Sequence, residues 1–407
     1  MKLILNSRFL VFLTGIVLIR AGWFASLPFM AIYLLKVFQC NPIEIGAIIG
    51  AGSFACCVTG VFGGSLADKY GNKPVIVFSI LLSAIVFLLF SLSSQLIFFG
   101  VLNIFLGVFR SFFDAASKSY IVDIVPIAMR GRAFGWRYAA INVGAIIGPP
   151  IAVLVFFVSP RLIFLATAGC YFVASLGYFF AIKAYPSNNP DMCYFENIKS
   201  TFKVISKQKS VLYLVVVGVT IYFALSQLDT TLPQIMALRL NNYLFLYSAF
   251  LVTNALIVIT FQVPLDILRK HIGNKRFVYF SVSTYALAFF LLSFVNMSYI
   301  LFLGVVFLSI GEVANITLNN ILMDEYSPTH MKGAYFGLAN FSMLGLFLGP
   351  LLGGVLLKYT NPVVLYLTTS VVIISSLYFH KLSRECATKQ KRLPQLEYNG
   401  LQKVDRN

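Results

Sequence analysis

Asp123-Ile-Val-Pro-Ile-Ala-Met-Arg-Gly-Arg-Ala-Phe-Gly135 returns about 202 residues later as Glu325-Tyr-Ser-Pro-Thr-His-Met-Lys-Gly-Ala-Tyr-Phe-Gly337. The acid, Pro, Met, base, Gly and Phe-Gly all keep their spacing, so the chain is an internal duplication. A second echo follows each copy: Gly144-Ala-Ile-Ile-Gly148-Pro149 in the first and Gly345-Leu-Phe-Leu-Gly349-Pro350 in the second. The repeat has the length of half the chain, which predicts two related halves in the same order.

The solvent of these halves follows from composition. Of 407 residues, 59% are hydrophobic and 11% charged, and the mean hydropathy is +0.86. Soluble domains are roughly half apolar and carry about a quarter charged residues, so this chain needs lipid. Apolar runs of roughly 20 residues, enough to span about 30 Å of hydrocarbon, recur about a dozen times. They lie near 9–36, 43–66, 74–92, 96–122, 133–157, 161–183, 210–237, 243–267, 276–296, 298–323, 334–357 and 361–381. Parallel repeats in such a chain place a binding site between the halves near mid-bilayer, which points to a carrier of small molecules.

A net charge of +17 suggests nucleic acid in a soluble chain, but here its distribution decides. With both termini on one face, that face carries Lys2, Arg8, Lys69, Lys73, Arg130, Arg132, Lys183, the linker lysines, Arg269, Lys270, Lys275, Arg276, Lys332 and all seven Lys and Arg from Lys381 onward. The other face keeps Lys36, Arg161, Arg239 and Lys358. This is the positive-inside pattern, so both termini are expected in the cytoplasm of a plasma or bacterial inner membrane, and no nucleic acid is expected. The six cysteines lack paired spacing, so neither a disulfide framework nor a metal site is expected. Arg20 interrupts the first apolar run and no cleavage site follows, so that run reads as a spanning helix.

The expected division is a bundle over 1–183, a cytoplasmic linker over 184–209, a second bundle over 210–381 and a tail over 382–407. In the linker, Phe195, Ile198, Phe202 and Ile205 recur at helical spacing while Lys199, Lys203 and Lys207 take another face. Both a helix on the anionic leaflet and a solvated basic linker fit that pattern. The tail is polar and expected to be disordered.

The connection between the second and third spans reads Gly64-Ser-Leu-Ala-Asp68-Lys69-Tyr-Gly71-Asn-Lys73-Pro. It closely resembles the signature loop of the major facilitator superfamily, and the half-length duplication extends the resemblance over the whole chain. The resemblance implies an all-α membrane protein of twelve transmembrane helices in two six-helix bundles around a central cavity. The segment Gly144 to Pro150 resembles the glycine-proline motif of the twelve-span drug:proton antiporters, although Pro150 and Ala152 stand where glycines are common there. In the family the acidic residue of the loop helps latch the halves on the cytoplasmic side. That implies this role for Asp68, within a network of Lys73, Asp123 and Arg130; a helix cap is the structural alternative. Gly64 is expected to admit a close helix and Gly71 a tight turn. The second copy, Asp266-Ile-Leu-Arg-Lys270-His-Ile-Gly273-Asn-Lys275, keeps Gly-Asn-Lys but loses the acid position, so only the first loop is expected to latch strongly. Gly144, Gly148, Gly345, Gly349 and Gly353, with Pro149 and Pro350, are expected to pack the halves closely and to kink the helices. Ordinary tight packing with no bearing on antiport fits the same spacing.

Ionisable groups at mid-membrane cost roughly 2.5–3.5 kcal/mol each on insertion scales, which makes them candidates for function. Arg20 falls in the first span, Arg110 and Asp114 in the fourth, Asp229 in the seventh and Glu312 in the tenth. Lys118 and Arg137 lie nearer the cytoplasmic end, where long side chains snorkel, and are given less weight. Arg110, Asp114 and Lys118 share one helical face, which therefore turns to a cavity or a partner helix. The repeat offset carries Arg110 onto Glu312, so the two are expected to approach across the cavity. In one reading the arginines bind an anionic group while Glu312 or Asp114 exchanges protons; in the other, Arg20 or Arg110 pairs with Asp114 as structural glue. The antiporter arginine that precedes a glycine by four in the fourth span is Asn103 here, before Gly107. Trp23, Phe24, Tyr138, Tyr222 and Tyr335 are candidate cavity aromatics, and Pro28 and Pro233 are expected to bend the first and seventh spans.

The reading is a secondary transporter that moves a small molecule by alternating access, most simply proton-coupled efflux. Excess positive charge in the first half favours an anionic, zwitterionic or carboxylate-bearing substrate. Its partners are that substrate, protons and lipid; the proton gradient stands in for a cofactor, and one chain is expected to suffice. Proton symport or facilitated uptake is the alternative within transport, and a non-transporting receptor the alternative outside it. Enzyme chemistry is excluded by inventory. His271, His330 and His380 sit at span ends, no nucleophile–base cluster converges, and no phosphate-binding loop ends in Lys-Ser or Lys-Thr.

Overall fold

The computed structural model describes residues 7–183, 208–294, 298–327 and 338–404, with backbone alone from 389. No strand occurs among the described residues. Hydrocarbon offers no partner for free N–H and C=O groups, so chains this apolar close their hydrogen bonds within each helix. The first half folds as α1 (Ser7–Val37), α2 (Pro42–Tyr70), α3 (Asn72–Leu92), α4 (Leu96–Ile124), α5 (Ile127–Val158) and α6 (Leu162–Ala181). The second folds as α7 (Lys209–Asp229), α8 (Thr231–Arg239), α9 (Tyr243–Leu292), α10 (Ser298–Tyr326), a 3-10 turn (Asn340–Leu344) leading into α11 (Gly345–Tyr359), and α12 (Pro362–Val404).

Eleven helices among the described residues are long and apolar enough to cross a bilayer. The sequence predicted twelve spans, and α9 accounts for the difference. Its 50 residues would run about 75 Å if straight, more than two hydrocarbon cores, and Gly273 breaks it with φ 80 and ψ 154. Gly71, between α2 and α3, has φ 84 and ψ 156. These are the only glycines with positive φ among the described residues, and they stand 202 residues apart. The duplication read from sequence is therefore a duplication of backbone geometry, with glycine present because other residues rarely adopt that φ.

Local signals mark the other boundaries. Asn41 Oδ1 accepts the amides of Ile43 and Glu44, Glu44 Oε2 accepts the amide of Asn41, and Pro42 opens the helix, so a capping box sets the start of α2. Pro233 has no N–H and clashes with the carbonyl four residues back, that of Asp229, which is where α7 ends. Side chains repair the break: Gln234 donates to the Thr230 carbonyl at 2.8 Å and Tyr247 to the Leu228 carbonyl at 2.9 Å. Pro28, by contrast, sits inside an uninterrupted α1.

One buried core is built from residues 9 to 182 alone and another from residues 211 to 338, one within each half. A third joins the halves. Ala25, Phe29 and Ile32 of α1 and Ala152, Val153 and Phe156 of α5 pack with Leu228, Leu232, Tyr247 and Leu251. All of these lie toward the face opposite the chain ends, so that far face is sealed by apolar packing. The basic linker, read as either a surface helix or a solvated segment, lies outside the described residues. One expectation needs adjusting. The tail is not disordered from 382: α12 continues to Val404, Ala387 is buried, and Ser383 donates to the Ser210 carbonyl at 2.7 Å, docking it on the start of α7.

Candidate functional site

The intramembrane charges separate into two groups, one in each half. In the first half Asp114 is the hub. Its Oδ1 lies 2.7 Å from Arg20 Nη2 and 3.1 Å from Arg137 Nη2, and its Oδ2 lies 3.9 Å from Arg110 Nε. Arg137 also donates to Ser117 Oγ at 3.2 Å. Three guanidiniums thus surround one carboxylate, and the Nε–H of each has no acceptor among the described residues. Such a cluster holds α1, α4 and α5 together and keeps an excess of positive charge. Arg20 and Arg110 both border the central cavity, and the Arg110 guanidinium lies 4.2 Å from the centre of the Trp23 ring.

Arg137 is a correction. Position predicted a side chain snorkelling to the surface, yet it is 8% exposed, as tightly enclosed as Arg20 at 9%. An anion within reach outcompetes the route to water. The close Arg20–Asp114 pair matches the structural-glue reading for those two side chains. Lys118 is exposed and lines a second cavity of about 440 Å³ between the halves, toward the face bearing the chain ends.

In the second half the acids stand apart from cations. Glu312 of α10 accepts a hydrogen bond from Asn254 Nδ2 at 3.1 Å, and Asn254 also donates to Ser309 Oγ at 3.0 Å. Asp229 sits at the α7–α8 break. No cation lies within ion-pair distance of either carboxylate among the described residues. Both open onto a cavity of about 380 Å³ whose opposite wall carries Arg20 and Arg110. The expected approach of Arg110 to Glu312 therefore reduces to a shared cavity, because Trp23 and Asp114 hold the guanidinium on its own side. Trp23, Phe24, Tyr138 and Tyr222 line this cavity as expected, whereas Tyr335 lies outside the described residues. Asn103 also lines it, and its Nδ2 donates to the Ile48 carbonyl at 2.7 Å, tying α4 to α2.

The glycine motifs pack differently from expectation. A Cβ at Gly144 or Gly148 would strike Arg20, Ala21 and Ala25, so these glycines seat α5 against α1. In the same way Gly345, Gly349 and Gly353 seat α11 against α7, and Gln227 donates to the Gly349 carbonyl at 2.9 Å. Both contacts lie within a half. The halves meet instead where a Cβ at Gly46 would strike the Pro350 carbonyl, one at Gly354 the Pro42 carbonyl, and one at Gly50 Phe347. Small-residue spacing shows that a helix is approached closely but does not say by which neighbour.

The sequence model of the Major Facilitator Superfamily matches residues 12–343. The chain belongs to the Major Facilitator Superfamily. It is 30% identical over 381 residues to the MFS-type transporter YqjV of Bacillus subtilis, covering 90% of each chain. It is 23% identical over 380 residues to the quinolone resistance protein NorA of Staphylococcus aureus, covering 90% of this chain and 94% of that one. With the Na(+), Li(+), K(+)/H(+) antiporter of Planococcus maritimus it shares 22% over 383 residues, covering 85% and 88%. Among solved structures the nucleoside transporter NupG superposes with a TM-score of 0.77 at 11% identity, over 92% of this chain and 99% of that one. A POT family transporter in complex with a thioalcohol-conjugated peptide gives 0.78 at 16%, over 93% and 96%. The fold is thus the major facilitator fold, and the chain is a multi-pass transporter of small molecules rather than an enzyme.

Within that superfamily fold the signature loop is arranged around Asp123. Asn72 Nδ2 donates to Asp123 Oδ2 and, at 3.1 Å, to Ser119 Oγ. Arg130 does not pair with an acid of the loop. Its Nε and Nη2 donate to the carbonyls of Val125 and Val122, at 3.2 and 2.9 Å, capping the end of α4. Lys73 lies over the Phe179 ring at 5.4 Å. Gly64 has no described atom within 4 Å of a Cβ placed on it, whereas one on Gly63 would meet the Phe112 backbone, so Gly63 makes the close approach to α4. Asp68 is exposed at the end of α2, and partial desolvation followed by the Asp123 carboxylate raises its pKa above the usual aspartate value. In the second copy Asp266 is taken up by Arg269 at 2.8 Å and Lys270 at 2.7 Å, consistent with its lost acid position.

Proposed function

We propose that this transporter exports a zwitterionic or carboxylate-bearing small molecule in exchange for protons. The observation that carries the reading is the segregation of charge across the central cavity, with Arg20 and Arg110 on one wall and, on the other, Glu312 and Asp229 with no cation in ion-pair range among the described residues. An acid enclosed without a cation is costly to ionise, so it holds a proton until water or a substrate cation reaches it. A substrate carboxylate is drawn to the arginine wall and a substrate amine to the acid wall. Binding then displaces the proton, and the cavity's next exposure restores it.

The excess of basic residues on the face of the chain ends supports a cytoplasmic orientation for that face. The conformation described, sealed on the far face, is then the one that serves the cytoplasm, and closure there falls to the Asp68 loop. A single chain forms the whole cavity, which supports a monomeric transport unit. Relatives described as a quinolone resistance protein and a cation/proton antiporter agree with export driven by protons.

The test uses inside-out vesicles with an acidified lumen and a fluorescent quinolone, itself a zwitterion with a carboxylate, as probe. Wild-type protein accumulates the probe and Glu312→Gln equilibrates it without accumulation. A one-unit pH gradient amounts to about 1.4 kcal/mol per proton, so one exchanged proton supports about a tenfold accumulation. Uphill accumulation by Glu312→Gln overturns Glu312 as the proton carrier, and accumulation that requires an alkaline lumen overturns antiport in favour of symport.

A further inference from the structure

The second half carries a cavity of about 340 Å³ at the face of the chain ends, away from the transport path, between the start of the post-Gly273 segment of α9, the end of α10 and the middle of α12. The repeat explains its origin. The offset of 202 that relates Gly71 to Gly273 sets Leu214, Leu322 and His380 in the places of Phe12, Tyr120 and Tyr178. In the first half those rings fill the space. Phe12 packs on Tyr120 and Tyr178 with centroids at 5.2 and 5.8 Å, and Tyr178 donates to the Phe12 carbonyl at 2.7 Å. Leu214 stays packed in the core, while Leu322 and His380, both smaller than the tyrosines they replace, border the volume that opens.

The charges change at the same positions. Lys73 lies on the Phe179 ring, but its counterpart Lys275 shares the opened cavity with Lys381, the counterpart of Phe179, and with Arg384, the counterpart of Ile182. Glu325 also lines it, leaving three cations against one acid. His380 is 7% exposed, lines the cavity, and its Nδ1 has no partner among the described residues. An enclosed polar atom without a partner beside converging cations is a site built for an acceptor that the chain does not supply. Exposed apolar side chains of the same helices, Tyr279, Leu287, Ile374 and Tyr378, continue from the cavity along the lipid-facing surface.

We propose that this cavity binds the phosphate headgroup of an anionic phospholipid, with its acyl chains running down the α9–α12 surface. The phosphate diester accepts from Lys275, Lys381, Arg384 and His380, and the apolar stretch below distinguishes a lipid from a soluble phosphate. The site makes no use of the transport cavity and holds whichever way the carrier couples to protons.

Full-length protein in detergent is titrated with dioleoyl phosphatidylglycerol, dioleoyl phosphatidylcholine or inorganic phosphate, and retained adducts are counted by native mass spectrometry. Wild type retains phosphatidylglycerol in preference to phosphatidylcholine. Lys381→Gln/Arg384→Gln weakens that retention on the order of thirty-fold, the loss expected for two basic contacts at a membrane surface. Arg276→Gln, on the same face but not lining the cavity, retains the lipid as wild type does. Should the double variant not remain monodisperse, Lys275→Gln on the other helix gives the same comparison with one contact removed. Equal retention of the two lipids, or unchanged retention in the cavity variants, overturns the proposal. Retention of inorganic phosphate equal to that of phosphatidylglycerol overturns the lipid assignment and leaves a soluble anion.

Discussion

Replacing Asp114 by Asn keeps size, shape and one acceptor oxygen but removes the anion that three guanidiniums share. At an effective dielectric near 20, a pair of unit charges about 4 Å apart attracts by about 4 kcal/mol before desolvation is counted. The contacts to Arg20 at 2.7 Å and Arg137 at 3.1 Å outweigh that to Arg110 at 3.9 Å. In Asp114→Asn all three attractions vanish and three enclosed cations face one another. Removing one partner of a buried pair costs about 3–5 kcal/mol, a large share of a net stability of about 5–15 kcal/mol. Thermal unfolding in detergent reads this directly, with Trp23 fluorescence reporting the stacked Arg110. A fall of at least about 5 °C is expected. The double variant Asp114→Asn/Arg20→Gln, which removes one stranded cation, recovers part of it, and the cycle isolates the pair. Wild-type stability in Asp114→Asn, or no recovery in the double variant, refutes the hub.

Gly46→Leu forces the Pro350 carbonyl away and holds the far face open, so transport stops and a cysteine placed at Ala25 becomes reactive to an impermeant maleimide beyond the background of the native cysteines; unchanged labelling counts against the α2–α11 seal. Asp68 binds its proton more tightly folded than unfolded, so its ionisation opposes folding progressively as pH rises above the ordinary aspartate range. Asp68→Asn is therefore no less stable than wild type at neutral pH and loses less stability on alkalinisation across that window, while its transport rate falls; a destabilised but fully active variant contradicts both parts.

Much of this architecture was legible because membrane spans carry strong signals. Repeated motifs announced the two halves, and Gly71 and Gly273 share one backbone geometry. Rarity of charge in apolar spans identified Arg20, Arg110, Asp114, Asp229 and Glu312, and all but Asp114 line the central cavity. What escaped was rotation. Helices apolar all round do not say which neighbour each face meets, so the spacing of Gly144 and Gly345 suggests contact across the halves although both pack within them. Arg137 escaped because its distance from the surface permitted snorkelling and nothing local to it revealed Asp114. Arg130 escaped because α4 ends in carbonyls that need donors, a demand invisible in side-chain pairing. The cavity around His380 shows only when the halves are laid on each other and the missing rings are noticed.

The central claim is that substrate and proton compete for the acid wall of one cavity. Purified protein in weakly buffered detergent, mixed with saturating quinolone and read by a pH indicator, tests it without vesicles or gradients. Near neutral pH, wild type is predicted to release up to about one proton per chain on binding and Glu312→Gln none. Proton uptake on binding, or equal release from the variant, would contradict it.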